Sequence, residues 1–166
     1  HKNVLAAGTG ITREALQSMM LTLQTQIDQF GEAIVINPAK LVIPVGYAMD
    51  VYTILYSPTV STSGNTQATN PLYKYKEMLE VIEDPTINAL CGGFGNVMPW
   101  FLVGAESDTD GIEVDYLDGK EIPNIRRMEV AGQLGFVWDI YLDWGISVMD
   151  YRGFVKNPGV EMASPL

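Results

Sequence analysis

Phe136-Val137-Trp138-Asp139-Ile140-Tyr141-Leu142-Asp143-Trp144 is the stretch on which the fold turns. Phe136, Trp138, Ile140, Leu142 and Trp144 fall at every second position, with Asp139, Tyr141 and Asp143 between them. Successive side chains of a strand point to opposite faces, so this alternation predicts a β-strand with one face on a core and the other carrying charge. On that reading Trp138 is a core residue, and its truncation to alanine should cost ~3–5 kcal/mol. Gly145 turns or kinks the chain, and Ile146 to Met149 supplies another short strand. Upstream, Ile112 to Leu117 and Lys120 to Ile122 read as the arms of a hairpin, with Asp118-Gly119 supplying positive φ angles at the turn. Trp100 to Val103 reads as a short buried strand. Glu77 to Glu83 reads as a strand covered in part on both faces and ended by Pro85. Between these two, Cys91-Gly92-Gly93-Phe94-Gly95-Asn96 has turn composition.

The first half changes period. From Thr12 to Phe30, Leu16, Met19, Met20, Leu23, Ile27 and Phe30 recur at helical spacing, which predicts a helix. Thr12 is placed to cap it, Ile11 to staple onto Leu16, and Gly31 to end it. Ala33 to Asn37 and Lys40 to Pro44 are β-branched runs interrupted at Pro38, read as two short strands or one broken strand. Gly46 to Ser57 returns to helical spacing, and Pro58 stops it. Residues 58–71 offer almost nothing to bury and are expected to form a mobile loop, of the kind used for binding or assembly. The tail from Asn157 to Leu166 is expected to fray, with 160–166 outside the folded body.

Two main helices among many strands, with a strand-rich C-terminal half, define an α+β class. The 166 residues and 47% hydrophobic content suit one domain that builds its own core. Ten basic against twenty acidic residues give a net charge of −10, the wrong sign for gripping nucleic acid through a basic face. A single cysteine, Cys91, forms no intrachain disulfide. No apolar run approaches the roughly 20 residues of a membrane span, and the chain reads as soluble.

Catalytic patterns are sparse. The one histidine, His1, sits at a terminus, a poor place for a Ser-His-Asp or Cys-His arrangement. Cys91 in its glycine-rich turn reads first as a small buried hydrophobe. Glu106, Asp108, Asp110, Glu113, Asp115, Asp118 and Glu121 invite a calcium-loop reading, yet with Gly111 in the glycine position the bidentate acid would fall on Leu117. Zinc has no Cys/His set. Asp139 and Asp143, about 13 Å apart along one strand, are too distant for a carboxylate pair and suit a charged outer face, or partners for Arg126, Arg127 or Arg152 at a subunit contact. Gly92-Gly93-Phe94-Gly95 lacks the spacing of a phosphate cradle. No catalytic, cofactor-binding or metal-binding residue is therefore assigned. Two other readings stay open: a small hydrolase using Cys91, and a calcium-dependent binding module using 106–121.

Tyr141-Leu142-Asp143-Trp144-Gly145, Met149-Asp150-Tyr151-Arg152-Gly153 and Lys156-Asn157-Pro158-Gly159 together resemble the C-terminal signature of Mu-like tailed-bacteriophage major head subunits. His1-Lys2-Asn3, Ile36-Asn37-Pro38, Leu41-Val42-Ile43-Pro44, Asn70-Pro71, Trp100-Phe101-Leu102 and Tyr116-Leu117-Asp118-Gly119 have counterparts there in the same order. The resemblance implies the Hong Kong phage capsid fold, with residues 1–166 as one capsid-like domain: the axial domain with strands of the peripheral domain. The N-terminal arm, extended loop and spine helix of a complete shell subunit have no counterpart in this chain, as expected of a fragment, trimmed or prophage-encoded. It further implies a structural virion protein, not an enzyme, assembled in the bacterial host cytoplasm into pentameric or hexameric capsomer rings of a procapsid. Its partners would be copies of itself and other phage head proteins, with no specific nucleic acid, membrane, small-molecule substrate or cofactor.

Overall fold

The computed structural model describes residues 3–129, 131, 132 and 134–164. His1 and the last two residues of the expected frayed tail lie outside them. The single domain expected over 1–166 is resolved into two compact units: residues up to Gly111 together with those from Tyr151, and the inserted stretch Ile112–Asp150. No linker composition marks the division, because strand sequence simply leaves the first unit and returns to it.

Helix α1, Arg13–Gln24, opens as the sequence predicts, with the Thr12 side chain accepting from the Ala15 N–H at 3.2 Å. Its buried face carries Leu16, Met19 and Leu23. It ends a turn and a half before Phe30, and Ile27 and Phe30 are exposed. The Asp28 carboxylate accepts from the Phe30 and Glu32 N–H groups at 2.7 and 2.9 Å, and this local turn outcompetes another helical turn. Gly31, at φ +87°, serves that turn and is not the helix terminator.

One strand, β1 (Pro38–Ile43), replaces the two short runs, with Pro38 tolerated at its first position. Helix α2 is Ala48–Tyr56. Strands β2 (Thr59–Thr62) and β3 (Asn65–Thr69) pair as an antiparallel hairpin, correcting the loop expected over 58–71. Polar composition suggested a loop, but threonine is β-branched and fits an exposed ribbon. Asn70, only 2% exposed, donates to the Ile54 and Ser57 carbonyls and accepts from the Leu72 N–H, joining α2 to the 3₁₀ helix Pro71–Tyr75.

Strand β4 covers only Glu80–Glu83, and Pro85 does more than end it. Proline at the first helical position, capped by the Asp84 carboxylate on the Thr86 N–H at 2.8 Å, begins a third helix, α3 (Pro85–Leu90), which periodicity over so short a span does not reveal. Strand β5, Val97–Gly104, alternates strictly, with Met98, Trp100 and Leu102 at 0% exposure. The last strand of this unit, Phe154–Glu161, completes a four-stranded sheet. β5 lies between that strand and β1, and β4 is parallel to β1 at the edge. α1 packs on this sheet, and the core joins Leu16, Met19, Leu41, Leu55, Trp100 and Val155.

The tail is held, not frayed, as far as Met162. Asn157 is 0% exposed: it accepts from the Thr9 and Gly159 N–H groups at 3.0 and 2.9 Å and donates to the Thr9 hydroxyl at 2.8 Å. Met162 is buried and exchanges backbone bonds with Gly95 and Asn96. An N-terminal strap lies along the same edge. The Leu5 N–H donates to the Lys156 carbonyl, the Lys156 N–H to the Asn3 carbonyl, and the Asn3 amide to the Tyr151 and Phe154 carbonyls.

A further long-range tie fixes the β1 entry. The Asp108 carboxylate accepts from both the backbone and side-chain N–H groups of Asn37 at 2.9 Å, and from the Ser107 hydroxyl. The Asn37 backbone bond first, then the two side-chain bonds, hold the Asp108 pKa below its usual value. A carboxylate with a depressed native pKa contributes stability that is present above its unfolded value and lost as pH falls through the native one. Acid unfolding followed by circular dichroism should therefore show Asp108→Asn flattening the fall in stability below about pH 4, with the variant less stable at neutral pH.

Candidate assembly surface

Within Ile112–Asp150, strands β6 (Ile112–Tyr116) and β9 (Trp144–Val148) pair antiparallel, as do β7 (Asn124–Met128) and β8 (Val137–Tyr141). The Asp118-Gly119 turn exists, with φ angles of +57° and +66°. It does not close the hairpin expected between 112–117 and 120–122; β6 finds its partner in β9 instead. Apolar pairs Ile112–Val148, Val114–Ile146 and Tyr116–Trp144 bring more contact than the short arm Lys120–Ile122, cut off by Pro123, could offer.

The registers make each of the two ribbons amphipathic. Those three apolar pairs share one face; Glu113–Ser147 and Asp115–Gly145 share the other. Along β7 and β8, Ile125–Ile140 and Arg127–Trp138 alternate with Asn124–Tyr141 and Arg126–Asp139. Residues 117–123 stand opposite only 142 and 143, seven against two, so the outgoing strand gains five residues. Five is odd, and an odd bulge exchanges the faces of one strand only. It moves the apolar positions of the outgoing strand from even numbers in β6 to odd numbers in β7. The returning strand keeps even numbers throughout, so by residue count the apolar rows of the two ribbons are in phase.

Both rows are open. Among the described residues, no side chain of 112–150 is buried. The five-residue row Phe136 to Trp144 is a strand pattern as predicted, broken at 142 and 143, but its apolar face is not a core: Phe136, Trp138, Ile140 and Trp144 are 54%, 61%, 63% and 58% exposed. Amphipathic alternation records that a face is destined for burial, not that the same chain buries it. Trp138→Ala should thus change the unfolding free energy of the isolated chain by under about 1 kcal/mol, measured by urea titration.

Charges are kept off this face except at one end. Arg126 pairs with Asp139 directly across the ribbon at 3.2 Å on the opposite face, so the expected partner for Asp139 lies within the chain. Arg127 stacks 3.3 Å over the Phe136 ring and reaches Glu129 at 4.0 Å. Asp143 contributes its carbonyl, which accepts from the Leu117 N–H.

The residues considered for chemistry are dispersed. Cys91 is half-buried at the end of α3, its N–H on the Ile87 carbonyl. His1 lies outside the described residues. In the glycine turn, the Gly93 and Gly95 N–H groups are spent on the Asn88 and Met162 carbonyls. The acidic stretch 106–121 divides: Glu106 pairs with Lys40, Asp108 holds Asn37, and Glu113 and Asp115 ride on β6. Among the described residues, no three His, Cys, Asp or Glu side chains gather in a metal-holding group.

An α+β body carrying an apolar strand ribbon open to solvent defines a protein that works through contact surfaces, in the manner of a structural component. The chain belongs to the phage capsid protein family: the family model described as "Phage capsid protein" matches residues 2–157. Searches of the curated proteins and of the solved structures return no match. It is a structural protein of the bacteriophage capsid, with its place in the virion shell.

Proposed function

We propose that the chain is a major head subunit of the Mu-like kind, or a prophage-encoded fragment of one, that assembles with its own copies into capsomers of a procapsid shell in the host cytoplasm. In this reading the four-stranded sheet with α1 and α2 is the axial domain of the Hong Kong phage capsid fold, and the 112–150 ribbons are strands of the peripheral domain. The exposed apolar face of those ribbons carries the proposal, since an unpartnered sheet face of that extent is stable in solution only when something covers it. Membership of the capsid family supports the reading by supplying the setting in which many copies meet. Capsomer rings would bury apolar patches while charges set the register between neighbours.

The test is assembly itself. Light scattering and negative-stain imaging of the purified chain across salt should show oligomers or rings that grow with concentration and, at −10 per copy, with ionic strength. A strictly monomeric species at high concentration and high salt would overturn the proposal.

A further inference from the structure

We propose that the apolar ribbon face of 112–150 is occupied by the same face of a second copy, giving a two-fold, face-to-face pair of ribbons. The inference rests on the self-assembly reading above and adds to it the partner surface and the symmetry. Three observations lead there.

The first is charge. Copies at −10 each repel one another, and contact is cheapest where carboxylates are absent. The paired positions of this face hold no carboxylate; Glu113, Asp115 and Asp139 all fall on the reverse side. Its charge is confined to the end near Phe136, where Arg127 is stacked on that ring and lies 4.0 Å from the Glu129 carboxylate. A two-fold docking centred on the middle of the ribbon keeps the two Arg127 side chains at opposite ends.

The second is area. Ile112, Ile125, Trp138, Ile140, Trp144 and Ile146 are each 58–64% exposed. With Phe136, Val114 and Val148 beside them, the face offers on the order of 1,000 Å², about what each partner contributes to a standard stable interface.

The third is architecture. A two-stranded ribbon is marginal alone, whereas two ribbons stacked about 10 Å apart form a four-stranded, two-layer sandwich with an interior. The odd bulge at 117–123 matters here. By residue count it keeps the apolar positions of β6–β9 and β7–β8 in phase, which coverage of both by one partner requires.

Sedimentation of the full chain, joined to thiol cross-linking, tests this. In a Cys91→Ser background, copies with a single cysteine at Ile140 mixed with copies carrying one at Val114 or Ile146 should cross-link through a bifunctional maleimide spanning about 10 Å, whereas Val114 or Ile146 cysteines alone, far from the two-fold, should not. Cysteines at Glu113 and Ser147 should not. Val114→Lys with Ile140→Lys, which lie opposite Ile146 and Ile125 and not each other, should weaken pairing at least tenfold, with the unfolding midpoint unchanged at concentrations where the unsubstituted chain is dissociated, while Ser147→Lys leaves pairing intact. Association that survives the double variant, with cross-links from Glu113 or Ser147, overturns the face-to-face contact and leaves self-assembly standing. Face cysteines shielded from a small thiol reagent in a chain that stays monomeric would overturn both, and would put a different polypeptide segment on the face.

Discussion

Replacing Gly159 by alanine should leave little folded protein. Gly159 lies in the last strand of the sheet, where the register with β5 slips between Asn157 and Val160, and its φ is +76°. A side chain there would run into the Met98 carbonyl oxygen, with the Met98 carbonyl carbon at 2.6 Å and the Pro99 Cα at 3.2 Å. All three are backbone atoms of the central strand and cannot step aside as a flexible side chain would. The Gly159 carbonyl is in turn where a Cβ on Gly8 would collide, so the bulge is closed on both sides. The expected loss exceeds about 4 kcal/mol, in the range reserved for backbone displacement in a core. Gly93→Ala is the matched control: its φ is +83°, but nothing lies within 4 Å of the added atom. That variant should lose only the ~1–2 kcal/mol of a left-handed non-glycine residue. Equal losses from the two substitutions, by urea titration, would mean that strain and not collision sets the cost.

Trp100→Ala is the second large effect. Trp100 is fully buried at the centre of β5, the strand that pairs on both sides, and its indole N–H donates to the Thr9 carbonyl at 3.2 Å. Truncation opens a cavity that the flanking strands cannot collapse into, and ~3–5 kcal/mol should be lost. Trp100→Phe keeps most of the packing but strands the Thr9 carbonyl, which should cost ~1–3 kcal/mol and loosen the N-terminal strap. Hydrogen exchange at Leu5 and Lys156, whose backbone groups bond across that strap, reads the loosening directly. Trp100 and Trp138 thus form a contrast within one chain: alternating strand residues of the same type, one costly to remove and the other nearly neutral.

That contrast marks the limit of what the sequence discloses. The α+β class, the Thr12 cap, the α1 face and strand β5 were legible because each is decided by neighbours within a few residues. The row from Phe136 to Trp144 was equally legible as a strand. Its burial was not, since alternation is the same whether the covering layer comes from this chain or from another. The pairing of β6 with β9 escaped because Asp118-Gly119 offers a local turn, whereas the register is set by apolar partners about thirty residues away. The continuation of the apolar row through Ile146 and Val148, and the alternation of Ile112 and Val114 with Glu113 and Asp115, were the signals available for it. Asn157 and Gly159 looked like the start of a loose tail because polar, proline and glycine residues mark both frayed ends and strand bulges. Only the long-range bond to Thr9 tells the two apart.

The hairpin of 112–150 is spliced between β5 and the final strand, and every fully buried apolar residue of the described chain lies outside it. Substitutions in it therefore remove nothing from the buried core of the body that carries it. Under the proposed pairing, the residues that would meet a neighbour and the residues that fold the subunit are separate sets, so a change in one set leaves the other in place.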